Sequence, residues 1–245
     1  EAVAEGIAAA GAAAGRPIRV LVECDAGAGR NGVQTPAAAA ELGLAIARQR
    51  TLRFGGLMAY TKPGLRADIA AFMGEARHLC ERAGLTVETV STGGTPEMWQ
   101  DAGLEGMTEY RAGTYVYFDR SLVARGAGTL EDCALSVLST VVSRPTSERA
   151  IIDAGSKALT SDLLGLEGHG IVPSLGDALV HDLNEEHGYL DVSRLAHADK
   201  PRVGDLVRIL PNHACPVSNL FDRVVFVRGA EVLGAATVAA RGKVQ

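Results

Sequence analysis

Between Ile18 and Phe118 the sequence switches four times from a short apolar run to a segment of helical period or a tight turn. No other feature restricts the fold as much. Residues 18–23 (IRVLVE) form a β-branched run without strict alternation, which predicts a strand covered on both faces. A helix follows, opening at Thr35-Pro36 and carried by alanines with Leu42, Leu44 and Ile46 to about Gln49. Residues 54–60 predict a second strand. Residues 65–83 predict an amphipathic helix with Ile69, Phe72, Ala76 and Leu79 at helical spacing and Gly84 just past its end. Residues 85–90 predict a third strand, 96–102 a short helix and 111–118 a fourth strand. Such alternation implies parallel strands joined by right-handed crossovers, with chemistry gathered at the strands' carboxyl ends.

Those ends carry reactive or anion-binding residues. The third opens into Ser91-Thr92-Gly93-Gly94-Thr95-Pro96, with Thr95 expected as N-cap and Pro96 at the first helical position. Backbone N–H groups, the hydroxyls of Ser91, Thr92 and Thr95, and a positive helix end would then converge where a phosphate can rest. An ordinary capped turn is the competing account, because short glycine motifs recur by chance. After the first strand, Gly27 and Gly29 leave room for Arg30 to offer planar donors to an oxyanion, or else to pair with Asp25 or Glu23. The second exit carries Tyr60 and Lys62. Near the fourth, Arg111 and Gly113 can approach a phosphate or a ring atom, while Tyr110, Tyr115, Tyr117 and Phe118 read as core.

From about Cys133 the pattern becomes one of short runs punctuated by turns, at 135–142, 150–152, 205–210, 224–228 and 231–237. This predicts a second, mainly antiparallel β domain, with boundaries drawn at 1–125 and 126–245. Within it, His213-Ala214-Cys215 lies between Pro211 and Pro216, and the second proline favours an extended Cys215. Positions two apart in an extended chain face the same way, so imidazole and sulfur would form an N/S pair suited to Zn²⁺. Two ligands are too few for a closed site, so a metal there would keep water or substrate and act as a Lewis acid. Simple packing is the alternative. Asn184-Glu185-Glu186-His187-Gly188 sets carboxylates beside an imidazole, making His187 an acid/base candidate or part of a solvated turn. Lys157 is expected to pair with Asp153 or Asp162.

Composition narrows the functional classes. A net charge of −5 with 22% charged residues gives no basic surface for phosphodiester backbones, so nucleic acid is not an expected partner. The four cysteines form no C-x-x-C pair, which suits free thiols in a reducing compartment and points to the cytoplasm. The alanine-rich start lacks the basic n-region and apolar core of a signal peptide and is too polar to span a bilayer. It reads as a helix entered part-way, without an initiator methionine.

Taken together, seven segments resemble the D-threonine aldolase and D-serine dehydratase family, fold-type III pyridoxal-phosphate enzymes related to the alanine racemase barrel. They are 25–33 (DAGAGRNGV), 56–60 (GLMAY), 91–96 (STGGTP), 111–115 (RAGTY), 153–157 (DAGSK), 186–188 (EHG) and 213–216 (HACP). The resemblance covers about Arg16 to Arg241. It implies an α/β fold, a (β/α)8 TIM-type barrel followed by a β domain, with cofactor at the barrel mouth and a divalent metal beside it. By the same resemblance Arg30 addresses the phenolic oxygen of the cofactor and Tyr60 lies against its ring. Ser91, Thr92, Gly93, Gly94 and Thr95, with Gly113 and Thr114, hold the phosphate, and Arg111 occupies the place that addresses the pyridine nitrogen in racemases. His213 and Cys215 fall on the metal ligands; cysteine at the second position favours zinc and dehydration, with manganese or magnesium as alternatives.

The family's Schiff-base lysine, at the end of the first barrel strand, has no counterpart here, and Lys62 is the only in-chain substitute at a strand exit. The four units read as the second half of an eight-unit barrel. A half barrel leaves open strand edges, so the chain is expected to be a portion completed by a missing N-terminal half. The implied activity is a lyase acting on small D-3-hydroxy amino acids, as a homodimer without nucleic-acid or membrane partners. The alternatives are a metal-free pyridoxal-phosphate racemase and a non-catalytic pyridoxal-phosphate binder.

Overall fold

A computed structural model describes residues 2–100 and 104–243, which divide into two compact units, Glu1–Gly113 and Thr114–Gln245. In the first, helix α1 (Ala2–Ala13) precedes β1 (Ile18–Cys24), α2 (Pro36–Ala47), β2 (Leu52–Ala59), α3 (Arg66–Arg82), β3 (Thr89–Thr92) and β4 (Glu109–Tyr110). The four strands form one parallel sheet in chain order, the arrangement the alternation predicts. Helix α2 starts where the sequence places it: Thr35 Oγ1 accepts from the Ala38 N–H at 3.1 Å, with Pro36 at the first helical position. In α3, Ile69, Met73, Ala76 and Cys80 are buried, and Phe72 and Leu79 pack partly buried against the same core. That core joins them to Val22, Leu57 and Val90 of the strands.

The β1–β2 register slips by one residue between Val20 and Leu21, leaving Gly55 as the extra residue of β2. Gly56 has φ +135°, and a Cβ there would fall 1.9 Å from the Thr89 carbonyl oxygen, so the bulge and the approach of β3 both require glycine.

Three expected elements differ. The third strand read over 85–90 is Thr89–Thr92, so Ser91 and Thr92 of the expected loop belong to the strand. The helix read over 96–102 is a single 3-10 turn, Thr95–Glu97, with Gly94 rather than Thr95 as its N-cap; residues 101 and 102 lie outside the described residues. The fourth strand read over 111–118 is instead Glu109–Tyr110. β3 ends at Thr92 and the chain turns at Gly93 with φ +123°, so beyond Tyr110 and the Arg111 N–H to Thr92 O bond of 2.8 Å there is no edge left to pair with. Residues 114–116 instead form a 3-10 turn, Phe118 is buried, and Tyr115 is exposed.

The second unit holds α4 (Arg120–Ala124), β5 (Val137–Ser143), β6 (Arg149–Ile152), α5 (Ser156–Leu159), β7 (Gly170–Val172), β8 (Ala178–Leu183), β9 (Gly188–Asp191), β10 (Leu206–Pro211), α6 (Ala214–Leu220), β11 (Arg223–Arg228) and β12 (Glu231–Thr237). Six strands close into a barrel in the order β10-β5-β6-β9-β8-β7, all pairs antiparallel, and β11 and β12 form a separate ribbon. Closure gives every barrel strand two neighbours and buries Val141, Ile152, Val172, Val180, Leu190 and Ile209 inside. The segment expected to be extended at His213-Ala214-Cys215 turns into α6 after His213. Proline at the third helical position removes an N–H that has no intrahelical acceptor, so Pro216 does not oppose the helix. The first N–H, from Ala214, is taken by the buried Asp119 carboxylate at 2.8 Å.

No helix among the described residues is long and apolar enough to cross a membrane. All four cysteines are unbridged.

Candidate functional site

In the first unit the strand exits converge through side chains. The Arg30 guanidinium lies 4.4 Å from the centroid of the Tyr60 ring, a cation–π contact, and its Nη2 is 3.4 Å from Glu23 Oε1. The loop behind it is held by Asp25, whose carboxylate accepts from the Gly29 and Arg30 N–H groups at 2.9 and 3.1 Å. Those bonds, Gly29 foremost, hold the Asp25 carboxyl below its ordinary range. The ion pair considered as an alternative for Arg30 is therefore present, formed with Glu23 rather than Asp25.

At the glycine loop the Gly93 N–H donates to Thr61 Oγ1 at 3.0 Å, so that group is already engaged, and the Tyr110 hydroxyl donates to Gly94 O at 2.8 Å. A Cβ on Gly93 would lie 2.6 Å from the Arg111 nitrogen and 3.1 Å from the Tyr110 ring. Ser91 Oγ accepts from Arg111 Nη1 and donates to Glu109, while Arg111 Nη2 donates to Ala59 O at 3.0 Å. Arg111 thus reaches back across β3 to β2. Thr92 is fully buried, and its Oγ1 has no hydrogen-bond partner among the described residues. A buried hydroxyl left unpaired costs about 1–3 kcal/mol, so this position is one that an anionic ligand oxygen would stabilise. Thr95 is buried, Gly113 faces open space, and Lys62 is exposed.

The second unit assembles a different set. His213 Nδ1 is 2.7 Å from Asp162 Oδ2, and Cys215 Sγ is 3.2 Å from Thr114 Oγ1. Interaction with Cys215, and then with Asp162, raises His213 to about 9, while His213 chiefly lowers the Cys215 thiol. His213 is the N-cap of α6 and Cys215 lies in its first turn, where alternation predicts an extended segment. Thr114 stands beside Cys215 within this unit.

Lys157 pairs with Glu185 at 2.9 Å and Glu186 at 2.6 Å instead of the aspartates expected from sequence, because the β8–β9 turn brings the glutamates to α5. His187 is exposed in that turn, where its carbonyl accepts from the Asn184 N–H at 2.8 Å.

Thr61, Glu109, Asp119, Asp162 and Asn212 were not selected by sequence reasoning. Only Asn212 carries a local signal, a lone amide between a buried apolar strand and the His213 segment.

Both sets fit the groups the resemblance implies. The orphaned Thr92 hydroxyl and the planar Arg30–Tyr60 stack suit a phosphorylated aromatic cofactor. A histidine whose Nδ1 is held by a carboxylate presents Nε2 as a donor, and a low-lying thiol beside it completes an N/S pair. Among the described residues no group of three or more His, Cys, Asp or Glu is arranged to hold a metal.

Comparison with known proteins decides the family. Residues 134–227 match the family model described as "Putative serine dehydratase domain", and residues 1–121 match "Alanine racemase, N-terminal domain". The solved structure of D-threonine aldolase from Filomicrobium marinum superposes with a TM-score of 0.86 at 30% identity, covering 99% of this chain and 68% of that one. The chain belongs to the D-threonine aldolase and D-serine dehydratase family. Membership places it in the fold-type III pyridoxal-phosphate family, with the alanine racemase-like fold. D-threonine aldolase from an Arthrobacter species is 34% identical over 94% of this chain, which spans 62% of that relative's length. A cysteine-to-alanine mutant of D-threo-3-hydroxyaspartate dehydratase, solved in the metal-free form, superposes with a TM-score of 0.82 at 31% identity, covering 97% of this chain and 70% of that one.

Proposed function

We propose that the protein is a pyridoxal-phosphate- and divalent-metal-dependent lyase acting on D-3-hydroxy amino acids, of the D-serine dehydratase or D-threonine aldolase type. In this reading the barrel portion over 1–125 supplies the cofactor grip and the β domain over 126–245 supplies the metal ligands. The observation that carries it is the His213–Cys215 pair with Asp162 behind the imidazole, an arrangement that a metal-free racemase does not require.

Arg30, in cation–π contact with Tyr60, would donate to the phenolic oxygen of the cofactor, and Tyr60 would lie against its ring. Thr92 would donate its hydroxyl to the phosphate, with Gly93, Gly94 and Thr95 shaping the loop and Gly113 leaving open space. Ser91, itself bonded to Glu109, and the Ala59 carbonyl hold the Arg111 guanidinium, which would address the ring nitrogen of the cofactor. Thr114 steadies Cys215 through its hydroxyl. When bound, the cofactor supplies an electron sink for the carbanion formed during bond cleavage. The metal, held by His213 and Cys215, supplies Lewis acidity to the substrate hydroxyl; the N/S pair favours zinc, with manganese or magnesium as alternatives. By family resemblance the enzyme works as a homodimer.

The test is product analysis. Full-length protein loaded with pyridoxal phosphate and Zn²⁺ is incubated with D-serine and with D-threonine. Release of a 2-oxo acid and ammonia identifies dehydration, whereas glycine plus an aldehyde identifies retro-aldol cleavage. Racemisation of alanine, with neither set of products, would overturn the lyase assignment.

A further inference from the structure

Behind the His213–Cys215 pair lies a loop, residues 160–168, that holds itself in a costly conformation. Thr160 has φ +67° and Leu164 φ +50°, a region disfavoured for L side chains and most of all for a β-branched one. Leu163 and Leu164 are exposed, so packing of their side chains does not hold the loop in this shape. Its hold is Asn212, which is fully buried. The Asn212 amide nitrogen donates toward Asp162 O at 3.0 Å, Leu163 O at 3.4 Å and Gly168 O at 2.7 Å, gathering both ends of the loop onto one group. Its Oδ1 accepts from Arg120 Nη1 at 2.6 Å, and the same nitrogen of Arg120 donates to Glu167 O at 3.2 Å. The loop carries Asp162, the carboxylate on His213 Nδ1.

We propose that Asn212 is a positioning residue for the metal pair: by clamping the carbonyls of residues 162, 163 and 168, it places the Asp162 carboxylate so that His213 presents its other ring nitrogen beside Cys215. The chain of action runs from amide to loop, from loop to carboxylate, and from carboxylate to imidazole. A histidine so held forfeits no ring rotation when it takes a metal, and its tautomer is fixed in advance. Arg120 fixes the orientation of the clamp, because only an amide with its oxygen toward the guanidinium turns its nitrogen toward three carbonyls. This inference rests on reading His213 and Cys215 as metal ligands.

The experiment is a double-mutant cycle read as metal affinity. Zn²⁺ affinity is measured by competition with a chromophoric chelator, and Co²⁺ is used to follow the thiolate–cobalt absorption band, for wild type, Asn212→Ala, Asp162→Ala and the double variant. Each single change should weaken Zn²⁺ by about 10- to 100-fold. The double variant should bind no more weakly than the worse single one, because both changes break one relay. A structural defect spread through the unit would instead multiply the two losses, and that result overturns the proposal, as does Asn212→Ala binding at wild-type strength. Leu164→Val provides an arm that leaves the buried amide intact. A β-branched residue at φ +50° strains the loop from its exposed side and should weaken Zn²⁺ several-fold in wild type but not in the Asp162→Ala background. An equal loss in both backgrounds, or none in either, overturns the proposal even if Asn212→Ala does not fold. His213→Ala separates the two levels: if it leaves Zn²⁺ affinity unchanged, the metal reading itself falls, and this proposal with it.

Discussion

Replacing Thr92 by valine should push stability and cofactor affinity in opposite directions. Thr92 is fully buried and its hydroxyl has no partner among the described residues, so the cofactor-free fold carries an unsatisfied polar atom at the end of β3. Valine keeps the branched shape and removes that atom. With a burial penalty of about 1–3 kcal/mol for an unpaired hydroxyl, Thr92→Val should stabilise the cofactor-free protein by about 1 kcal/mol or more. In a chain of this size that is a rise of about 2–4 °C per kcal/mol in Tm, read by circular dichroism. The same change removes a donor to the phosphate. Hydrogen bonds to charged groups contribute about 1.5–3 kcal/mol, so pyridoxal-phosphate affinity, read by absorbance titration, should fall roughly 10- to 150-fold. Thr92→Ser, which keeps the hydroxyl, should retain most of the affinity. A Thr92→Val protein that binds the cofactor as wild type does would refute the assignment of this hydroxyl to the phosphate. One that is destabilised without its cofactor would refute the claim that the hydroxyl is unsatisfied.

Two further predictions follow from geometry and charge. Gly56→Ala should destabilise the first unit by about 4 kcal/mol or more in denaturant titration, because its Cβ meets Thr89 O at 1.9 Å. Gly74→Ala, exposed within α3 with nothing within 4 Å, should stabilise it by about 1 kcal/mol; equal effects would contradict the structure of the β2 bulge. The second concerns pH. Because contact with Cys215, and then Asp162, raises His213 to about 9, a metal must displace a proton there at any lower pH. Zn²⁺ affinity should therefore climb between pH 7 and about 9, by at most about tenfold per unit for this proton, and level off above. An affinity that is flat over that range would show that the imidazole is not the ligand.

What the sequence discloses follows the range of the forces involved. The parallel sheet and α2 are legible because each rests on a local pattern: a continuous apolar run for β1, and Thr35-Pro36 as a cap for α2. The hairpin strand β12 likewise appears over the residues expected, Glu231–Thr237. The fourth strand was misplaced because the composition of 111–118 suits a strand, yet pairing is limited by where β3 stops, a fact about a different segment. β7 and β9, only three and four residues long, are too short to show a period and exist because barrel closure supplies neighbours on both sides. The extended geometry expected for His213 and Cys215 gives way to an N-cap and a first helical turn, because Pro216 is compatible with the start of a helix as well as with a strand. Asp162 was invisible as a partner of His213 because 51 residues separate them, and nothing local in Ser161-Asp162-Leu163 distinguishes that aspartate from a surface one.

The lyase reading depends most on the metal, and one reconstitution measures it. Full-length protein loaded with pyridoxal phosphate is assayed on D-serine and D-threonine before chelation, after exhaustive chelation, and after Zn²⁺ is restored. Turnover should disappear with the metal and return with it in wild type, and should not return in His213→Ala or Cys215→Ala. Undiminished turnover after chelation, or full recovery in both variants, would contradict the account.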